Sequence, residues 1–148
     1  TLYGNTDCEG TPGDPAGCFR LPTEAEWEFA ARGGTLGAYS FEDPDLIVDY
    51  AWYGDNSNEQ THPVGELASN PYGLFDMHGN VWEWTQDFWR DFLAGGVDRL
   101  YIGSGPGRVI RGGSWDSRAA RHLRSAYRFV RNIGERDNDI GFRLVRTL

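Results

Sequence analysis

The chain has 148 residues, 14% aromatic residues and a formal net charge of −8. This length suits one compact domain with a buried core, and the composition does not indicate disorder. No stretch approaches the roughly 20 consecutive apolar residues of a membrane helix, and the acidic balance argues against a nucleic-acid surface.

Basic residues are all Arg and concentrate near the C-terminus. Residues 101–148 hold ten of the 14 Arg and only four of the 22 acids. The planar guanidinium suits buried carboxylates and carbonyls, so we expect most Arg to bridge segments inside the domain.

The first 19 residues contain turn-forming residues and no periodicity, which predicts an irregular surface loop. Cys8 and Cys18, the only two cysteines, bracket its Gly/Pro-rich part. A disulfide between them would favour an oxidising, extracytoplasmic or cell-surface location. Two free thiols, or pairing with a cysteine of another chain, remain alternatives.

The clearest helix follows. Thr23 is a suitable N-cap, Glu26 completes a capping box three residues later, and Gly33 ends the helix. The predicted buried stripe has the spacing i, i+3 and i+4 and consists of Trp27, Ala30 and Ala31.

Beyond this helix the pattern predicts short strands in long loops. Residues 35–75 break into pieces separated by Gly, Pro, Asn and Asp, with no second helix of convincing length. Alternating apolar and polar residues predict three strands, at Val81–Thr85, Arg108–Arg111 and Ile140–Val145.

Four segments in order carry a resemblance to a known family. They are RLPTEAEWE from Arg20, GNVWEWT from Gly79, RGGSW from Arg111, and GFR from Gly141. Together they resemble the formylglycine-generating enzyme (sulfatase-modifying factor) family. The resemblance implies an α+β, irregular, loop-rich, C-type-lectin-like fold. Residues 1–148 would form a single domain that lacks the family's N-terminal strand and first helix.

The segment from Asp76 to Glu83 is a candidate cation site. It places two carboxylates around a glycine turn, and Ca²⁺ prefers carboxylate and carbonyl oxygens. The resemblance implies a structural calcium ion held by the side chains of Asp76 and Glu83 and the carbonyls of Gly79 and Val81. Alternatively, Glu83 pairs with a buried Arg and Asp76 caps a turn.

The resemblance also indicates which chemistry is missing. The family's oxidases hold copper with two cysteines just after the Gly-Gly-Ser motif, because Cu(I) requires soft thiolates. Residues 112–128 contain no cysteine, so we expect no catalytic residues in this chain. The alternative is an enzyme of the formylglycine-generating or nonheme-iron sulfoxide-synthase type whose catalytic residues lie outside this chain.

Between the fixed Trp115 and Gly141 the chain carries polar and aromatic residues in irregular order, a mixture suited to contacting an unknown protein or small ligand. This layout resembles the variable proteins of diversity-generating retroelements. Arg124 and Arg128 match the family frame and are expected to be structural. The candidate ligand residues are Trp115, Asp116, Ser117, Arg118, His122, Tyr127, Phe129, Val130, Arg131, Asn132, Asp137, Asn138 and Asp139.

Overall fold

A computed structural model describes residues 9–91, 100–101 and 103–148. Its helices are α1 (Glu24–Arg32) and the short α2 (Ile47–Tyr50), with 3₁₀ turns at Pro44–Leu46 and Ala120–Leu123. The strands are β1 (Phe19–Arg20), β2 (Ala51–Trp52), β3 (His78–Gly79), β4 (Trp82–Phe88), β5 (Arg108–Arg111), β6 (Phe129–Arg131), β7 (Ile140–Gly141) and β8 (Val145–Arg146).

Helix α1 has the boundaries that local chemistry dictates. The Thr23 side chain accepts the Glu26 amide, and the Glu26 carboxylate accepts the Thr23 amide, so the predicted capping box is confirmed. Gly33 ends the helix in the left-handed region, with φ 58°. Trp27 and Ala31 are buried, and Ala30 packs beside them while remaining partly exposed.

The main sheet has four strands in the order β6-β5-β4-β7. Neighbouring strands are antiparallel except β4 and β7, which run parallel. Two smaller ladders join β1 to β8 and β2 to β3. This mixture of short helices, short strands and long loops confirms the α+β, loop-rich prediction.

The structure corrects two sequence-based boundaries. The predicted strand Ile140–Val145 is divided: Gly141 pairs with Glu83 in the main sheet, whereas Val145 pairs with Arg20 in the β1–β8 ladder. The chain must cross between these ladders, so residues 142–144 leave the strand. Residues 35–75, predicted as loops and short strands, contain α2 and a 3₁₀ turn as well as β2.

Two apolar clusters form the core of the described residues. One contains Trp27, Ala31 and Met77. The other gathers Tyr39, Phe41, Ile47, Ala51, Tyr53 and Leu123. Among the described residues no helix combines the length and apolar character that a membrane crossing requires.

His78 is buried at the edge of the second cluster, with 2% of its surface exposed. Its Nδ1 lies 2.7 Å from the Leu123 carbonyl oxygen, so Nδ1 carries the proton. Nε2 then accepts from the Ser40 hydroxyl at 3.0 Å and the Ser40 amide at 3.3 Å. The imidazole is therefore neutral, and burial lowers the pKa of His78 from 6.5 to about 4.

Candidate binding surface and cation site

The segment 115–139, here called the 115–139 surface, is fixed at its start. The Trp115 amide donates to the Asn80 carbonyl at 2.8 Å. The following turn closes through Ser117, whose amide donates to the Ser114 carbonyl and whose hydroxyl accepts the Ser114 amide. These bonds join the Gly-Gly-Ser-Trp motif to the turn before β4.

The end of the surface is fixed against the same strand. The Trp82 amide donates to the Asp139 carbonyl at 2.8 Å, just before β7 joins β4. The Trp115 indole also donates to the Asn138 carbonyl at 3.3 Å. Both ends of the surface therefore meet beside β4, and the residues between them form a loop anchored at its base.

Residues 54–57 hydrogen-bond to the start of the 115–139 surface, a contact that the sequence did not indicate. The Gly54 amide donates to the Ser117 carbonyl at 3.1 Å, and the buried Ser57 hydroxyl donates to the Trp115 carbonyl at 2.9 Å. A side chain at position 54 would crowd the Ser117 carbonyl oxygen, at 3.0 Å. In the sequence, only the glycine and the small hydroxyl residue after β2 could have indicated this contact.

Most of the predicted ligand residues reach solvent. Ser117 is the exception: it is buried, and its hydroxyl serves the turn. Trp115, His122, Tyr127, Val130, Arg131 and Asp139 are partly exposed, and Asp116, Arg118, Phe129, Asn132, Asp137 and Asn138 are exposed.

Aromatic rings form a connected row at one side of the surface. The Trp82 ring centroid lies 5.8 Å from that of Phe129 and 6.1 Å from that of Tyr127. His122 extends the row, with its ring centroid 4.9 Å from Tyr127. Such rings supply contact area at little conformational cost.

Asp139 is the carboxylate at the base of the surface. The pKa of Asp139 is raised, mainly by burial and further by the negative charge of Asp137, while the positive charge of Arg131 opposes the rise. The Ser114 hydroxyl donates to Oδ2 at 3.4 Å, and Oδ1 is buried without a hydrogen-bond partner among the described residues. Such a buried oxygen is usually satisfied by an ordered water molecule.

The arginines of this region divide into two groups. Arg128 is structural, as predicted, because it pairs with Glu24 at 2.5 Å. Arg124 is exposed, and its Nε donates only to the Arg121 carbonyl, at 3.0 Å. Arg121 and Arg118 are also exposed, and within residues 9–91, 100–101 and 103–148 none of the three forms an ion pair with an acid.

The exposed arginines Arg121 and Arg124 act on the pKa of His122. Burial lowers the pKa, and the positive charges of Arg121 and Arg124 lower it further. The surroundings of His122 therefore disfavour a further positive charge.

At the candidate cation site, Glu83 is buried and already paired. Arg143 forms a bidentate ion pair with Glu83, with Nε–Oε2 and Nη2–Oε1 distances of 2.6 and 2.7 Å. The Trp27 indole also donates to Oε2, at 2.6 Å. The same Nη2 donates to the Phe75 carbonyl at 3.1 Å. The Arg143 partner belongs to the Gly-Phe-Arg motif, whose role the sequence alone left open.

Asp76 lies beside this pair with φ 56°. Its Oδ2 accepts the Gly65 amide at 2.8 Å, while its Oδ1 has no hydrogen bond to the described residues. Gly79 is buried in β3 and Val81 is half-buried just before β4. In the described ranges, no cluster of three or more His, Cys, Asp or Glu side chains could hold a metal by itself.

Glu83 pairs with an arginine and Asp76 accepts a backbone amide, as in the alternative to the calcium site, and a calcium ion would have to share Glu83 with Arg143. A carboxylate offers about four lone-pair positions, and three of those on Glu83 are used by Arg143 and Trp27. One position on Oε1 and the free Oδ1 of Asp76 remain, together with the carbonyls of Gly79 and Val81. These are hard oxygen ligands of the type that Ca²⁺ takes.

Cys18 is disulfide-bonded and therefore offers no thiolate. It lies next to β1, where its carbonyl accepts the Thr147 amide at 2.9 Å. The expected partner, Cys8, lies outside the described residues. Because the chain has only these two cysteines, the region after Gly-Gly-Ser contains no soft ligand for copper.

Comparison with known proteins identifies the family. Residues 3–148 match the description "Sulfatase-modifying factor enzyme 1-like domain". The chain belongs to this family. The resemblance that the four motifs carry is thereby confirmed.

Similar members of this family include one named as an enzyme and one named as inactive. The chain is 35% identical over 144 residues to the formylglycine-generating enzyme of Streptomyces coelicolor, covering 84% of the chain and 45% of the enzyme. It is 34% identical over 139 residues to inactive C-alpha-formylglycine-generating enzyme 2 of Bos taurus, covering 84% and 42%.

Among solved structures, Treponema denticola variable protein 1 is similar, with a TM-score of 0.80 and 45% identity over 86% of this chain and 47% of that protein. The chain spans between 21% and 45% of the length of eight curated relatives.

Proposed function

We propose that this chain is a non-catalytic, calcium-stabilised binding domain that presents the 115–139 surface to a partner. The observation that carries the proposal is the contrast within that segment. Its two ends are hydrogen-bonded to the residues around β4, whereas most of its side chains face solvent and none is a cysteine. A rigid base with exposed, irregular side chains suits recognition.

The comparisons support this proposal. One relative is named as inactive, and a solved relative is named as a variable protein. We extend the proposal to the variable-protein class, in which exposed residues change while the frame stays constant. Gene sequences from several isolates should then differ mainly at exposed positions between 116 and 139. An even spread of differences over the chain contradicts this extension.

Site-specific photo-crosslinking tests the binding surface. Benzoylphenylalanine can replace Phe129, which lies on the surface with 37% exposure, or Phe19, an exposed phenylalanine on β1. Incubation with proteins of the producing organism should give a discrete crosslinked product from position 129 and none from position 19. Equal labelling at both positions, or none at position 129, overturns the proposed function.

Calcium binding is tested by thermal unfolding with added Ca²⁺ and with a chelator. A site with Kd one hundred times below the calcium concentration stabilises the folded chain by about 2.7 kcal/mol. Asp76→Ala should abolish that gain, whereas Asp45→Ala, an exposed control acid outside the site, should retain it. Identical unfolding curves with calcium and chelator refute the calcium proposal.

The disulfide of Cys18 supports an oxidising, extracytoplasmic location, which is part of the proposal. Intact-mass measurement after alkylation tests it on protein isolated from its native source. The unreduced protein should resist alkylation at Cys18 and accept it after reduction. Alkylation without reduction contradicts the proposed location.

A second candidate is an enzyme whose catalytic residues lie outside this chain. The similarity to the Streptomyces coelicolor enzyme, of which the chain covers 45%, favours it. Oxygen consumption by the full-length protein, with copper or iron and a thiol peptide, separates the two candidates. Turnover would favour the enzyme, and its absence under conditions where a formylglycine-generating enzyme is active would favour the binding domain.

A further inference from the structure

Three exposed arginines close together on the 115–139 surface lack acidic partners in the described part of the chain, as does Arg136 near the end of that surface. Arg118, Arg121 and Arg124 form no ion pair there, whereas Arg20, Arg32, Arg111, Arg128, Arg131 and Arg143 each pair with a glutamate. The sequence predicts that Arg124 is structural. In the structure, the Arg124 side chain makes one such contact, a hydrogen bond to the Arg121 carbonyl, and is otherwise exposed. We call these three residues the arginine row.

Exposed acids are abundant in the described chain, yet none of them forms an ion pair with the arginine row. Residues 33–89 contain no Arg or Lys, and seven of their acids are exposed: Glu42, Asp43, Asp45, Asp49, Asp55, Glu59 and Glu66. Two residues of this region contact the backbone of residues 118–120: the Tyr39 hydroxyl donates to the Ala120 carbonyl, and Gly54 packs against Arg118. The fold nevertheless leaves the three guanidinium groups facing solvent.

We propose that the arginine row is a docking site for an acidic segment of a partner polypeptide. This inference rests on the proposed function, because the row lies within the 115–139 surface. It specifies the partner's chemistry: several carboxylates along an extended chain, with apolar side chains between them. Guanidinium groups bind carboxylates through paired hydrogen bonds, and complementary charge also speeds encounter.

The spacing of the row favours a chain of carboxylates over a single anion. Arg121 and Arg124 are three residues apart along the 3₁₀ turn and its end, so their Cα atoms lie roughly 6 Å apart on one side. Arg118 precedes them by another three residues. Arginines spaced along the chain match successive acidic side chains, whereas one phosphate would need donors that converge on it.

The neighbouring groups also suit a polypeptide. The rings of His122 and Tyr127 lie beside the arginine row and offer apolar contact to residues between the acids. Strand β6, which begins five residues after Arg124, is the outer strand of the sheet as far as the structure describes it. An outer strand presents main-chain groups that an extended peptide can pair with.

Fluorescence anisotropy with labelled peptides tests the inference on the whole chain. The probes are a glutamate-rich peptide with interspersed leucine and phenylalanine, peptides with glutamine or lysine replacing the glutamates, and heparin and inorganic phosphate as the other anions. Arg121→Gln/Arg124→Gln is the test variant. Arg90→Gln/Arg146→Gln is the matched control, since it removes two exposed arginines outside the 115–139 surface and changes the net charge equally.

The glutamate-rich peptide should bind, and the test variant should weaken binding by about five- to tenfold, consistent with exposed charge pairs. Adding Arg118→Gln should weaken it further, and the control should change it less than about twofold. Raising salt from about 0.05 M to about 0.3 M should lower affinity, because the screening length shortens. Circular dichroism checks that the variants remain folded.

Four outcomes overturn the inference: no binding of the glutamate-rich peptide, equal binding of the glutamine peptide, equal loss in the control, or Arg-dependent binding of heparin or phosphate alone. The crosslinking result distinguishes the two failures. Crosslinking at position 129 without acidic-peptide binding leaves the proposed function standing and refutes only the acidic partner. Failure of both refutes the binding domain itself.

Discussion

Acidification should destabilise this domain through His78. The unfolded chain has a His with the ordinary pKa of 6.5, whereas burial lowers the folded value to about 4. Between these values the unfolded chain binds a proton that the folded chain does not. The free energy of unfolding therefore falls as pH drops from about 6.5 to about 4.

The size of this loss follows from the two pKa values. A tenfold change in proton affinity is worth about 1.4 kcal/mol, so the difference between 6.5 and about 4 corresponds to about 3 kcal/mol. The structure supplies the cause. A proton on Nε2 would face the Ser40 amide, which already donates to that nitrogen, and burial removes the water that would solvate the added charge.

Urea unfolding followed by tryptophan fluorescence, at several values between about pH 7.5 and about pH 4.5, measures this loss. His78→Gln is the reference, because glutamine keeps polar groups at the site and does not titrate. Carboxylates titrate in both proteins, so the difference between the two curves isolates His78. That difference should shrink by about 2 to 3 kcal/mol across the range. A constant difference would refute the reasoning.

Two further predictions concern buried backbone and charge. Gly79→Ala should cost about 3 kcal/mol or more, because a Cβ there would overlap the Trp52 carbonyl. Gly73→Ala, with a similar φ of 76° but open space, should cost only about 1 kcal/mol. Arg111→Met should cost about 3 to 5 kcal/mol, because Arg111 is fully buried against two glutamates. Arg32→Met, which breaks a partly exposed pair, should cost less than about 1 kcal/mol. Denaturant unfolding measures all four, and equal losses within either pair would contradict the argument.

Local chemistry in the sequence was sufficient for α1 and for the strand Arg108–Arg111. A capping box and a left-handed glycine act within three or four residues, so Thr23, Glu26 and Gly33 define the helix without reference to the rest of the fold. The four motifs also identified the family and the two fixed ends of the 115–139 surface. These features are short-range or sit in fixed order along the chain.

Contacts between distant residues were decided only by the tertiary structure. Any of the fourteen arginines could in principle pair with Glu83. The parallel pairing of β4 with β7 brings Arg143, sixty residues away in the sequence, within reach of it. The same pairing divides the alternating run Ile140–Val145, whose pattern cannot show where one ladder ends. Likewise, composition predicts arginine bridges, but only packing determines that Arg128 meets Glu24 while Arg118, Arg121 and Arg124 stay exposed. Side-chain identity sets which pairs are possible, and chain topology sets which of them come within reach.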